Sequence, residues 1–146
     1  MTVYLDTSSL VKLYVAEPGS DAVRRLVTEA AVVATSGIAY PETRVALARR
    51  RREGALGPAA FATARRAFEE DWPRYLTVDV SASICRTAGE LAERYRLGGY
   101  DSLHLASDLE VVRRAGPAET RFSSYDQRLN RAARAALRAL ARSARP

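Results

Sequence analysis

Short apolar runs alternate with stretches of helical period along the whole chain, and this alternation restricts the fold more than any other feature. Strand and helix in repeated succession give an α/β architecture, with parallel strands in the middle and helices covering the sheet. The strands predicted in this way are Val3 to Leu5, residues 31–35 (AVVAT), 75–80 (YLTVDV) and, more weakly, 120–124 (TRFSS). After the first strand, Leu10, Leu13 and Tyr14 recur at helical spacing until Pro18 and Gly19 stop the helix, and Ser20 is a suitable N-cap for the next one. Further helices are predicted from about 38 to 52, with Pro41 tolerated in the first turn, and from near Pro58 to before Pro73. Another runs from a cap at Ser81 to about Arg96, and one follows the Gly98-Gly99 turn. The last helix places Leu129, Ala133, Ala136, Leu137 and Leu140 on one face and arginines on the other.

At 146 residues the chain is expected to form one domain, residues 1–146, with a core large enough to need no staple. The lone Cys85, in ASICRTAGEL, is predicted to be a buried structural thiol in a reducing compartment. No apolar run is long enough to span a bilayer and the N-terminus lacks a signal-like pattern, so a cytoplasmic protein without membrane contact is expected. A net charge of +6 and a pI near 10 favour polyanionic partners. The basic residues are 22 arginines and one lysine, Lys12. Arginine suits bidentate phosphate contacts, although GC-rich coding produces the same bias.

Four carboxylates carry the chemistry: Asp6 just after the first strand, Glu42 early in a helix, Asp101 opening another, and Asp126 where the last strand meets the last helix. The edge of an open α/β sheet beyond its strand ends is where ligands bind. Taken singly, each acid is equally well explained as a cap or as a charge favoured by the helix macrodipole. Brought together, they would raise one another's pKa unless a cation offset the repulsion, and oxygen-only ligation suits Mg²⁺ or Mn²⁺. An ion so held acidifies water and offsets charge on a phosphate, which points to a nuclease. Removing Asp6 or Asp101 is then expected to abolish cleavage and, by relieving repulsion, to raise stability without metal.

LDTSSLVKLYVAEPGS at 5–20, the PE at 41–42, LGGYDSLHLAS at 97–107 and FSSYDQRL at 122–129 closely resemble the PIN-domain ribonucleases of the VapC toxin type, in the family's order and over essentially the whole chain. The resemblance implies a PIN-like three-layer α/β/α fold with a short central parallel sheet of about four to five strands. It also implies Mg²⁺- or Mn²⁺-dependent endonucleolytic cleavage of RNA, a cognate antitoxin and frequent homodimerisation. The matching acids Asp6, Glu42, Asp101 and Asp126 would line the active site, with the hydroxyls of Ser8 and Ser124 beside them. Asp108 departs from the pattern, standing where a small residue is expected. About 10.5 Å along the helix from Asp101, it is too far to share an ion and is assigned a solvent or interface role.

Other candidates are weaker. His104, between two leucines, reads as a packed ring rather than a general base. Lys12 and Tyr14 follow the first acid and could reach a phosphate, and part of the run Arg49 to Arg52, above all Arg49 and Arg50, could steer RNA. Tyr40 and Tyr100 precede family acids and could stack on bases. Two other functions compete: a catalytically inactive PIN-fold RNA-binding or regulatory domain, which the four intact acids disfavour, and phosphoryl transfer through an aspartyl nucleophile. The second lacks the acid expected two positions after Asp6.

Overall fold

The computed structural model describes residues 1–144. Its centre is a four-stranded parallel sheet of β1 (Thr2–Leu5), β2 (Val32–Ser36), β3 (Leu76–Val78) and β4 (Thr120–Ser123), in the order β3-β2-β1-β4. The side chains of β1 alternate as the two-residue period of a strand requires. Val3 and Leu5 enter one core with Val23 and Phe68, whereas Tyr4 enters another with Ala34 and Val111 on the opposite face. Both faces of the central strand are therefore buried, as in parallel sheets covered on both sides.

The helices divide accordingly. Helices α1 (Thr7–Leu10), α2 (Ser20–Glu29), α3 (Ala39–Arg52) and α4 (Pro58–Asp71) supply Leu10, Val23, Ala39 and Phe68 to one side. Helices α5 (Ala82–Tyr95), α6 (Gly99–Ala115) and α7 (Gln127–Ser143) pack on one another on the other, through Ile84, Leu105 and Leu129 among others. This is the expected three-layer arrangement. No helix among the described residues is long and apolar enough to cross a membrane.

Topology fixes where a ligand site can form. From β1 the chain steps outward to β2 and β3, then returns to place β4 on the other flank of β1. The crevice beyond the carboxyl ends of β1 and β4 is thus a switch point, the usual ligand position in such sheets. Backbone pairing continues past the strand end, where the Asp6 amide donates to the Ser123 carbonyl at 3.1 Å.

Several expectations need correction. The helix after β1 is only four residues long and tightens at once into a 3₁₀ turn at Val11–Leu13. Ser20 is not a cap but the first residue of α2; its hydroxyl donates to the Val15 carbonyl at 2.9 Å and accepts from the Glu17 amide at 3.1 Å, while Gly19 caps with φ 94°. Strand β3 is shorter than predicted, and as an edge strand it leaves Leu76 half exposed. Cys85 is exposed. Ile84, Ala88 and Leu91 form the buried stripe of α5, and the residue after Ile84 is rotated by about 100° away from it.

Candidate active site

Two local devices deliver the four acids. Asp6 leaves β1 in extended conformation and caps α1, its Oδ1 accepting from the Ser9 amide at 3.0 Å and the Ser8 hydroxyl at 2.7 Å. Its Oδ2 accepts from the Ser124 hydroxyl at 2.5 Å, which ties β1 to the segment after β4. Asp126 caps α7 by accepting from the Leu129 amide at 2.9 Å, and its own amide donates to Ser124 Oγ at 3.0 Å. Glu42 and Asp101 occupy the first turns of α3 and α6, where the macrodipole favours negative charge.

Asp101 lies within electrostatic reach of the other three acids. Asp101 is half buried, and its carboxyl is held above the usual range by desolvation first, then by the charges of Asp126 and Asp6 and, more weakly, Glu42. Burial pushes Glu42 upward, but hydrogen bonds from His104 and Thr7, with the charge of His104, outweigh it and leave Glu42 below the ordinary value. Thr7 Oγ1 donates to Glu42 Oε1 at 2.7 Å and His104 Nε2 to the same oxygen at 2.8 Å. The other ring nitrogen of His104 lies 2.9 Å from the Tyr4 hydroxyl, inside the sheet-facing core. His104, 2 % exposed, is packed as predicted, yet it also fixes the orientation of one of the acids.

The remaining candidates have different fates. Ser8 and Ser124 do lie beside the acids, but they brace Asp6: Ser8 Oγ also accepts from the Tyr125 amide at 2.9 Å. Lys12 is buried, pairs with Glu17 at 3.0 Å and lies 4.4 Å from the Tyr125 ring centre, so it is not free for a phosphate. Arg50 is held on the other oxygen of Glu17 at 2.9 Å, whereas Arg49 remains exposed. The Tyr14 hydroxyl donates to Asp71 at 3.1 Å, and Tyr40 packs against Phe68 and Trp72. Tyr100 is 62 % exposed next to Asp101. Asp108 is neither at the surface nor at an interface: it is fully buried, and neither carboxyl oxygen has a hydrogen-bond partner among the described residues.

Thr7 and Glu17 are the residues that sequence reasoning missed. Thr7 adjoins Asp6, and His104 lies one turn beyond Asp101 on the same helix face; that spacing alone was a sign that its ring could meet the acids. Glu17 organises a clamp in which the loop before α2 closes over Tyr125, whose hydroxyl donates to the Gly19 carbonyl at 3.2 Å. A Cβ at Gly19 would come within 2.6 Å of the Tyr125 ring, at a backbone conformation that side chains avoid. Gly19→Ala is expected to cost about 1–2 kcal/mol in a denaturant melt, from the left-handed backbone alone, with Tyr125 displaced. An unchanged midpoint would show that the loop relaxes freely.

The donor set is chemically suited to a hard divalent cation. Among the described residues no three of the acids stand close enough to enclose an ion by themselves. Mg²⁺ does not require that, since it retains several waters and takes one or two carboxylates together with substrate phosphate.

The PIN domain family model matches residues 3–135. The chain is 37% identical over 134 residues to Ribonuclease VapC45 and to Ribonuclease VapC49, both of Mycobacterium tuberculosis, covering 92% of this chain and 90% of each relative. In structure it resembles VapC20 of Mycobacterium tuberculosis, a sarcin-ricin loop cleaving toxin, with a TM-score of 0.65 at 23% identity, covering 89% of this chain and 94% of that one. It also resembles a chain of VapBC2 from Rickettsia felis bound to a promoter DNA fragment, with a TM-score of 0.54 at 15% identity over 86% of this chain and 100% of that one. The chain belongs to the PIN-domain family and, within it, to the VapC ribonucleases.

Proposed function

We propose that the protein is a metal-dependent endoribonuclease, the toxin of a toxin–antitoxin pair, whose catalytic acids are Asp6, Glu42, Asp101 and Asp126. The observation that carries this reading is the placement of four acids at the ends of β1 and β4 and at the starts of α3 and α6, where the charges of Asp126 and Asp6 add to burial in raising the Asp101 carboxyl and a divalent cation is suited to relieve them. When bound, Mg²⁺ or Mn²⁺ supplies positive charge against that developing on the cleaved phosphate and acidifies the attacking water. Asp101, Glu42 and Asp126 each keep a carboxylate oxygen without a hydrogen bond among the described residues, and Asp101 and Glu42, the less exposed of the three, would be the principal ligands. Asp6 is held on both oxygens by Ser8, Ser9 and Ser124, which fixes it rigidly at the strand end. Asp126, exposed at the start of α7, orients water at the rim. Such preorganisation costs no rearrangement at the moment of reaction.

A cognate antitoxin belongs to the same reading, supported by relatives named VapC and by the VapBC2 neighbour, and a homodimer is part of it as well. So does action in the cytoplasm as a single domain. Incubating total cellular RNA with the purified protein and Mg²⁺, Mn²⁺ or EDTA tests it. Discrete fragments that require metal are expected, and metal-independent fragments or none would reject it.

Orientation of Glu42 provides a finer test. Thr7→Val preserves shape but removes one donor to Glu42, and loss of a partner that orients a ligand typically costs 10–100-fold in metal affinity or activity. Cleavage is expected to fall by roughly that factor, while the melting free energy changes by about 1 kcal/mol or less. Wild-type cleavage would show that His104 alone positions the carboxylate.

A further inference from the structure

A groove that the cleavage chemistry leaves unassigned opens where α5 leads towards α6 and where α7 begins. It has a volume of about 480 Å³ and runs between the C-terminal end of α5 and the first turns of α7, lined by Tyr95, Arg96, Arg128, Arg131, Ala132 and Ala135. Three arginines line it and no acid does. Arg24, Arg44, Arg50, Arg74, Arg113 and Arg114 each pair with a carboxylate, whereas Arg96, Arg128 and Arg131 have no such partner among the described residues.

Backbone conformation singles out Arg96 in a second way. It ends α5 at φ 55°, ψ 47°, and is the one residue other than glycine with positive φ among the described residues. Glycine ordinarily takes that helix-ending position, and a side chain there costs about 1–2 kcal/mol. A guanidinium is thus kept at a strained position where glycine would be more stable, as is common where a side chain is used.

The walls of the groove lead into two of the acids: α5 passes through residues 96–98 into α6, whose first turn holds Asp101, and Asp126 is the N-cap of α7. Arg96 precedes Asp101 by five residues, and Arg128 follows Asp126 by two. A nucleic-acid strand with one phosphate at the acids must pass over an adjoining surface, and this one offers charge of the opposite sign. Planar guanidiniums suit phosphate oxygens bidentately, and the small side chains of Ala132 and Ala135 leave the floor open.

We propose that this groove is a binding track for the RNA backbone, in which Arg96, Arg128 and Arg131 take phosphates adjoining the one that is cut. The inference rests on the reading of the chain as an RNA-cleaving enzyme. Binding of a fluorescent oligouridylate is measured by anisotropy across a salt titration in EDTA, where no cleavage interferes. For single strands the slope of log affinity against log salt falls by about 0.7 for each phosphate that the protein no longer neutralises. The triple variant Arg96→Gly, Arg128→Gln, Arg131→Gln is expected to lower the slope by about 2 and weaken binding at least tenfold. A charge-matched variant, Arg65→Gln, Arg66→Gln, Arg86→Gln, is expected to keep the wild-type slope.

Arg96→Gly alone guards against misfolding, since it relieves strain: its melting temperature is expected to rise while its RNA affinity falls. Wild-type affinity and slope in the triple variant would overturn the proposal and leave the groove to an acidic protein partner. An equal loss in the control would overturn it too, because total charge and not place would then govern binding. RNA bound through the groove but never cut with metal present would instead defeat the reading of the acids and leave the groove standing.

Discussion

Asp101→Asn is expected to reduce RNA cleavage by roughly a hundred- to a thousand-fold, the order at which removal of one preorganised electrostatic partner is felt. Its metal-free melting temperature at neutral pH is expected to rise. Burial and the charges of Asp126 and Asp6 hold the Asp101 carboxyl above its ordinary 3.8, so the folded state retains a proton that the unfolded state has already released. For a raised carboxyl the sign is negative: stability declines as pH climbs from about 4 through the folded-state pKa, and the ionised group destabilises the fold above that. The amide removes this contribution, so variant and wild type are expected to converge near pH 4 and separate at neutrality.

Metal addition supplies an activity-independent check. Binding to the folded state alone raises stability with concentration, so Mg²⁺ is expected to stabilise wild type more than Asp101→Asn. Equal gains would remove Asp101 from the ligand set. Asp6 should behave in the opposite sense when metal is absent. Its carboxylate accepts from Ser8, Ser9 and Ser124, and losing such a cap costs about 1 kcal/mol, so Asp6→Ala is expected to lower the melting temperature. The sequence predicts the same sign for both substitutions. Only the hydrogen bonds separate them.

The elements that sequence reasoning reads well are those governed by local rules. Asp6 and Asp126 follow strands and cap helices, and Ser81 caps α5 by accepting from the Ile84 amide at 3.2 Å. Positions decided across the fold are not legible in the same way. Lys12 meets Glu17 around a turn rather than along a helix, and Arg50 reaches the same carboxylate from α3, so both members of a basic pair that looks free in the sequence are tied to one acid. His104 looks inert between leucines because its partner Glu42 lies 62 residues away on another helix. Asp108 reads as a residue of a solvent face, but α6 packs between the sheet and its neighbouring helices and buries nine residues, leaving little such face along its middle.

Asp108→Ala is the substitution expected to change stability most strongly with pH. Burial alone raises this carboxyl from 3.8 to about 7, and neither oxygen gains a hydrogen bond among the described residues in return. Below about pH 4 both states are protonated and the residue is nearly neutral in effect; between about pH 4 and pH 7 the unfolded chain ionises first and stability falls. Once both states are ionised, a pKa of about 7 against 3.8 corresponds to about 4 kcal/mol lost from the fold. Alanine removes the charge at the expense of a small void, and its better helix propensity adds roughly 0.5 kcal/mol at every pH. The diagnostic is therefore the gap between variant and wild type, not either value alone. Urea melts are expected to show that gap widening by about 2–4 kcal/mol from pH 4 to pH 8 in favour of Asp108→Ala, with other titrating groups cancelling in the difference. A gap that stays constant would mean that water or a shifted donor satisfies the carboxylate. The acid would then be one that the core accommodates in its charged form.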